Sequence, residues 1–371
     1  MRALRREPAR WAGAARPRRS FHHVPVMPAE VVRALLHDLD AQPQRRDAPP
    51  RLLADCTVGG GGHAALLCAA LAAAGAPFRL LGLDRDGEAL AAARRALAPW
   101  REHATLAHAS YVHLEAACAA AFEQPAPQLA GVLVDLGVSS HQLDAPHRGF
   151  SVRPDRDGPL DMRFDASAPT GAAAPGGPPP PPRLTAGELV NHLPVRELAR
   201  LFAELGECRH ATAVAEAVAH RRAAQPFAST LDLAAVVAAA VDRVAGRRRR
   251  ALAGSGGGCG GGGSHPATQY FQALRIAVNG ELDAVAALLR TVPRLLAPGG
   301  RVAVLTFHSL EDRLVKRAFA ALCAPRGGGG GGGGGAAFRH VVREEVLTPT
   351  PAEVAANPRA RSAKLRVIER A

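Results

Sequence analysis

Leu52-Leu-Ala-Asp55-Cys-Thr57-Val-Gly59-Gly-Gly-Gly-His63, followed by Ala64-Ala-Leu66-Leu67-Cys-Ala-Ala70-Leu71, is the stretch around which the chain is organised. An apolar run ends in an acid, four glycines follow, and Leu66, Leu67, Ala70 and Leu71 then fall on one helical face, so it reads as buried strand, tight loop and helix. Glycines let the backbone approach a ligand closely, and the first turn of the helix offers N–H groups without partners inside the helix. Polyglycine recurs elsewhere in the chain, so the glycines alone decide little. The next unit, Arg79-Leu-Leu-Gly-Leu-Asp84-Arg-Asp86, adds a second apolar run ending in an acid, 25 residues beyond Gly59. A carboxylate at the tip of a second strand is placed to accept both hydroxyls of an adenosine ribose, which makes this the start of a nucleotide-cofactor fold.

Two cofactors suit such a unit. Gly59, Gly61 and Ala64 satisfy the dinucleotide spacing formally, so NAD remains open. Asp55 and Thr57, however, put polar groups at the end of the first strand, where an ammonium and a carboxylate need partners and a pyrophosphate does not. That favours S-adenosylmethionine.

Working outward, strands are expected at 51–57, 79–84, near Thr105 and at 131–135, with helices at 63–74 and 88–97 between them and a short helix from Ala29 to Leu39 in front. Alternating strand and helix implies a parallel sheet. Ligands bind beyond the carboxyl ends of such strands, so Asp55, Asp84 and Asp135 should point into one crevice, with Tyr111 at the same rim. Past Asp135 the sequence is polar and short of helical periodicity as far as Arg163, yet Leu143, Phe150, Leu160 and Met162 are interleaved with Asp and Arg. An ordered substrate and cofactor loop is the reading.

Low-complexity tracts then partition the chain. Residues 166–182 are Ala/Pro/Gly-rich, a mostly helical block runs from Thr185 to about Val244 behind the capping box Thr185-Ala-Gly-Glu188, and Arg247–Arg250 with 256–263 reads as a second flexible insertion. Tyr270 through Leu296 reads as one helix containing Gly280, at a cost of about 1 kcal/mol. Arg301–Phe307 reads as a strand, and Ser309 with Asp312 as the capping box of a helix to Phe319. Nine glycines at 327–335 precede two strands, Phe338–Val346 and Lys364–Glu369, expected to pair antiparallel at the sheet edge. The domain plan is therefore a leader at 1–20, a first part of the sheet domain at 21–165, a helical insertion at 166–264 and a second part at 265–371. A parallel sheet finished by such a strand pair is an α/β, Rossmann-like arrangement of the class I S-adenosylmethionine methyltransferase kind.

Composition bounds the rest. Six cysteines with no Cys-x-x-Cys pair suggest neither a disulfide framework nor a zinc site, and no metal is expected. No stretch has the length and apolarity of a membrane span, so no membrane partner is expected. The net charge of +13 points to a polyanionic partner. Residues 1–20 hold seven arginines and one acid, leaving +7 for the remainder. Arg-rich and acid-poor, they read as a mitochondrial presequence, the alternative being a basic arm that touches RNA directly.

The motifs Asp-x-Thr-x-Gly-x-Gly-Gly-His at 55–63, Asp-Leu-Gly-Val-Ser-Ser-x-Gln-Leu-Asp at 135–144, Arg-Gly-Phe-Ser at 148, Gly-Pro-Leu-Asp-Met-Arg at 158, Phe-Gln-Ala-Leu-Arg-Ile-x-Val-Asn at 271, Phe-His-Ser-Leu-Glu-Asp-Arg at 307 and Asn-Pro-Arg-Ala-Arg-Ser-Ala-Lys-Leu-Arg at 357 resemble the MraW/RsmH family of small-subunit rRNA (cytosine-N4)-methyltransferases. The segment Arg343–Arg370 and the leader are most similar to its mitochondrial branch, which implies the mitochondrial matrix, with the cytoplasm as alternative. The resemblance implies S-adenosylmethionine as cofactor, small-subunit rRNA or the ribosomal subunit as partner, and cofactor contacts at Gly61, Gly62, His63, Asp84, Tyr111, Asp135 and Gln142. The chain lacks the Asn-Pro-Pro-aromatic type of motif that holds the amine in DNA amino-methyltransferases. The loop after Asp135 stands in its place, so Ser139, Ser140, Asp161, Met162, Arg163, His308 and Ser309 are the candidates for the target-base pocket. Two other functions fit less well: a non-catalytic rRNA-binding assembly factor that kept the fold, and an NAD oxidoreductase.

Overall fold

The computed structural model describes residues 24–37, 48–165, 184–251, 265–325, 336–342 and 345–371. Seven strands form one sheet, β1 (Arg51–Asp55), β2 (Phe78–Asp84), β3 (Ala104–His108), β4 (Leu129–Asp135), β5 (Leu296–Thr306), β6 (Phe338–His340) and β7 (Lys364–Arg370), in the order β3-β2-β1-β4-β5-β7-β6. The first five are parallel, while β7 runs antiparallel to β5 and β6 antiparallel to β7. The expected edge pair is present, with its outer strand confined to three residues.

Alternation along each strand builds two cores, because successive side chains leave opposite faces of the pleat. Leu53 and Leu80 join one, with α1 (Pro28–Leu35), α2 (Gly62–Ala73) and α3 (Gly87–Ala96) over them. Leu52, Ala54, Leu81 and Leu83 join the other, beneath α4 (Leu114–Phe122), with residues of α11 (Glu281–Leu295) and α12 (Ser309–Cys323). With both faces covered, the central strands are apolar nearly throughout. The loop after β4, which lacked helical periodicity, holds the short α5 (Ser140–Asp144). A third core joins Phe150, Leu160 and Met162 to α6 (Ala186–His192), α7 (Val195–Gly206), α8 (Ala211–Ala224), α9 (Thr230–Ala251) and α10 (Thr268–Asn279). The last helix, α13 (Pro351–Ala356), lies between the two edge strands in sequence.

Four local expectations are corrected. The helix expected over 270–296 is two helices, because Gly280 has φ +58 and ends α10 as α11 begins. Glycine at a left-handed junction carries none of the interior-helix penalty. The cap of α12 is His308, whose side chain accepts from the Glu311 N–H, and not Ser309. Asp312 instead takes Lys364 at 2.9 Å and Arg366 at 2.8 Å. The backbone at Arg247–Arg250 belongs to α9, where an insertion was expected. The leader, 166–183, 252–264 and the nine-glycine tract lie outside the described residues. Among the described residues no helix is long and apolar enough to cross a membrane.

Candidate active site

A cavity of about 540 Å³ opens beyond the carboxyl ends of β1, β2 and β4, within the usual range for small-molecule sites. Its sheet side is made by Thr57, Gly59, Gly62 and His63 of the first strand–loop–helix, with Asp84 and Asp135 at the tips of β2 and β4. Asp84 accepts from the Gly59 N–H at 2.8 Å and the Asp86 N–H at 2.9 Å. Thr57 Oγ1 accepts from the Asp135 N–H at 2.6 Å, which ties β4 to the glycine loop. Asp55 lies just behind the wall, 1% exposed, and accepts from the Thr57 N–H at 3.1 Å. His63 Nε2 donates to the Val26 carbonyl at 2.9 Å, and its Nδ1 stands 3.6 Å from Asp135.

Burial dominates the electrostatics of this side. It pushes the Asp55 carboxyl up to about 7, Asp84 to about 6 and Asp135 to about 8, with repulsion among the acids adding to it. Among the described residues none of the three has a lysine or arginine in ion-pair reach. Such a wall is complementary to a cation. Gly61, with φ +84, faces α3 and not the cavity; a Cβ there would lie 3.1 Å from Ala96 Cβ and 3.2 Å from Ala93 Cα. Without a side chain it lets the start of α2 pack close against α3.

The opposite wall comes from distant parts of the chain. Asp86 caps α3 through the Glu88 N–H and also receives Gln142 Nε2 at 2.8 Å and Arg148 Nη1 at 2.6 Å. Gln142 Oε1 in turn accepts from the Ser139 N–H, closing the capping box of α5, so both ends of its amide are engaged. Arg148 is buried and donates to the carbonyls of Arg163 at 3.1 Å and Phe164 at 2.8 Å. Asn279 holds the same segment, donating to the Met162 carbonyl at 2.7 Å and accepting from the Phe164 N–H at 2.8 Å.

Of the base-pocket candidates, Ser139, Ser140 and Met162 line the cavity. Asp161 and Arg163 are paired with each other at 2.7 Å away from it. His308 turns to Glu311, and Ser309 donates to exposed Glu207. Tyr111 lines the cavity, and burial pushes its hydroxyl pKa up. Sequence reasoning gave no site role to Arg275, Glu281, Phe307 or Glu311, although all four lie on the wall. Arg275 grips Glu281 through Nε at 2.7 Å and Nη2 at 2.9 Å. Burial alone would raise the Glu311 carboxyl, but His308 and Arg275 outweigh it and hold it below the usual range. Glu281, His308 and Glu311 bring potential metal-ligand atoms within 4.8 Å of one another, with the Arg275 cation already against Glu281. Asn357, Arg359 and Ser362 close the cavity from the segment before β7.

Residues 20–371 match the model of the MraW methylase family. The chain belongs to that family. It is 38% identical over 355 residues to the ribosomal RNA small subunit methyltransferase H of Heliobacterium modesticaldum, covering 94% of this chain and 99% of the relative. The protein of the same name from Syntrophotalea carbinolica is 41% identical over 358 residues (95% and 99%), and that from Symbiobacterium thermophilum is 40% identical over 354 (94% and 96%). The methyl donor of this MraW-family chain is S-adenosylmethionine. The site suits it: two desolvated carboxylates with no lysine or arginine partner among the described residues line the cavity, and at Gly59 a turn with φ +51 exposes bare backbone beside Asp84.

Proposed function

We propose that this protein transfers a methyl group to the N4 of a cytidine in small-subunit rRNA. The observation that carries the proposal is the two-sided cavity: carboxylates at the tips of β2 and β4 that have no lysine or arginine partner among the described residues, and a second side that includes Ser139 and Ser140, four and five residues past Asp135. The name of the bacterial relatives supplies the substrate class, and the motif resemblance supplies the nitrogen.

When bound, S-adenosylmethionine supplies an electrophilic methyl group on a cationic sulfur. Asp84, whose bonds to the protein are both to backbone N–H groups, retains lone pairs for ribose hydroxyls, and Gly62 and His63 place the start of α2 against the cofactor. Asp135, with buried Asp55 behind it, gives the end of β4 a negative potential once ionised, and a cationic ligand there favours that ionised form. The lone pair of N4 is conjugated into the cytosine ring, so the amine must pyramidalise as it attacks. Acceptors on the chain for its N–H groups, together with fixed placement of the two reactants, lower that barrier. The test is to incubate the full chain with small-subunit RNA and isotope-labelled donor, digest to nucleosides and identify the product. Labelled N4-methylcytidine is expected. Tight donor binding without any methylated nucleoside would favour a non-catalytic assembly factor, and methylation of another base would remove the N4 reading.

We further propose that residues 1–20 carry the protein to the mitochondrial matrix. Their seven arginines against one acid support this. A chain lacking them should methylate RNA normally yet remain in the cytosol of cells; entry into mitochondria without them would overturn the localisation.

A further inference from the structure

Gly137 is the second residue past Asp135 and has φ +93. A Cβ built there would stand 3.9 Å from Arg275 Nη2 and 3.9 Å from Phe307 Cδ2. A guanidinium from α10 and an aromatic ring from the end of β5 thus converge on bare backbone beside the carboxylate that ends β4. Gly137, Arg275 and Phe307 all line the cavity, and so does Glu311.

The bonding of Arg275 is incomplete in one direction only. Nε and Nη2 are committed to Glu281, whose side chain is 5% exposed, so the plane of the guanidinium is held. Nη1 has no partner among the described residues and is not among the buried polar atoms left unsatisfied. An arginine serving only as a structural bridge would need no open N–H group on a cavity wall. Glu311 lies beside it, with Oε1 4.0 Å from Arg275 Nη2 and 2.9 Å from His308 Nε2, and Oε2 accepting from the Phe307 N–H at 2.9 Å; each oxygen keeps a lone pair for a further donor. A donor and an anionic acceptor therefore stand side by side, with an aromatic face adjacent.

We propose that Arg275 is the residue that selects cytosine, donating from Nη1 to ring N3 while Phe307 lies against the base and Glu311 accepts an N4–H. This rests on the cytidine reading above and adds the recognition. The Watson–Crick edge of cytosine presents an acceptor, N3, next to a donor, the N4 amine. Uracil presents the reverse, a donor at N3 and an acceptor at O4, so it would set N–H against N–H and oxygen against carboxylate. The bond to Glu311 also helps to orient the amine over the Gly137 backbone, toward Asp135 and the cofactor side.

The test removes the acceptor from the base and leaves the enzyme intact. The full chain is assayed on small-subunit RNA carrying cytidine or 3-deazacytidine at the methylated position, where N3 is replaced by C–H. Wild type should lose roughly tenfold or more in kcat/KM on 3-deazacytidine, the scale of a lost base-edge contact. R275K keeps a cation opposite Glu281 and should bind S-adenosylmethionine as wild type does. It should be slower on cytidine, with its additional loss on 3-deazacytidine reduced to about twofold or less. R275Q, read in the same way, replaces it if R275K melts early. Indifference of the wild type to N3, or an equal loss in wild type and variant, overturns the assignment. Failure of wild type to methylate cytidine at all would instead overturn the function on which it rests.

Discussion

The two sides of the cavity are built on opposite principles. The sheet side carries acids raised by burial, two of them, Asp55 and Asp84, held by backbone N–H groups, whereas the acids on and behind the other wall are already matched by arginines: Asp86 with Arg148, Glu281 with Arg275, Asp144 with Arg156 and Arg359. The first side withholds its charge for something not yet bound. The second uses its charge to hold together segments far apart in sequence. A group awaiting a ligand is costly to the free protein, while a matched pair is costly mainly to anyone who removes one partner.

The sharpest way to break this contrast is at Asp86, where the two sides meet. Asp86→Ala leaves Arg148 buried without its carboxylate and uncaps α3, and should cost about 3–5 kcal/mol in urea unfolding. A loss under about 1 kcal/mol would show that the walls are not joined there. Asp84→Asn should behave oppositely. It should weaken S-adenosylmethionine by roughly tenfold while stability stays level or rises, because a desolvated carboxylate has been neutralised. Unchanged affinity in a titration would move the ribose site elsewhere.

The raised carboxyls also fix the sign of a pH dependence. Because Asp84 and Asp135 have folded-state pKa values near 6 and 8, above their ordinary value, their contribution to the stability of the free protein is greatest below about pH 4. It is lost as pH rises through 6 to 8. A cationic ligand favours the ionised forms, so affinity for S-adenosylmethionine should increase over that same interval. S-adenosylhomocysteine, without the sulfonium charge, should show a shallower slope. Calorimetry at pH 5.5, 7 and 8.5 with both ligands reads this, and parallel slopes would remove the charge argument. The smallest effect is expected at Ser309→Ala, which deletes one exposed bond to Glu207 outside the cavity. Stability should change by less than about 0.5 kcal/mol and methylation not at all; a marked loss of activity would return Ser309 to the base pocket.

How much was legible follows from the same contrast. Asp84 and Asp135 could be placed from the sequence because each ends an apolar run in a strand–loop–helix unit, and the parallel-sheet rule sends all such ends to one rim. Gly61 was noticed as a ligand glycine, yet its close contact is with Ala93 and Ala96 of α3, a helix packing that no local pattern displays. His308 and Ser309 differ by one position, and only the extended backbone at His308, φ −141 and ψ 165, decides which of them caps α12. Gly280 reads as a flaw in one long helix until its positive φ makes it the junction of two.

The sequence by itself determined the sheet, the family and the acid-tipped cofactor side, since these depend on periodicity and short-range turns. The tertiary structure alone decided the facing wall. Arg275, Phe307 and Glu311 stand in motifs visible along the chain, but α10 and the end of β5 meet over Gly137 only after the helical core has packed against the sheet. Alternation along a strand constrains neighbours two residues apart; it does not tell a guanidinium which carboxylate, 6 or 36 residues away, will share its burial.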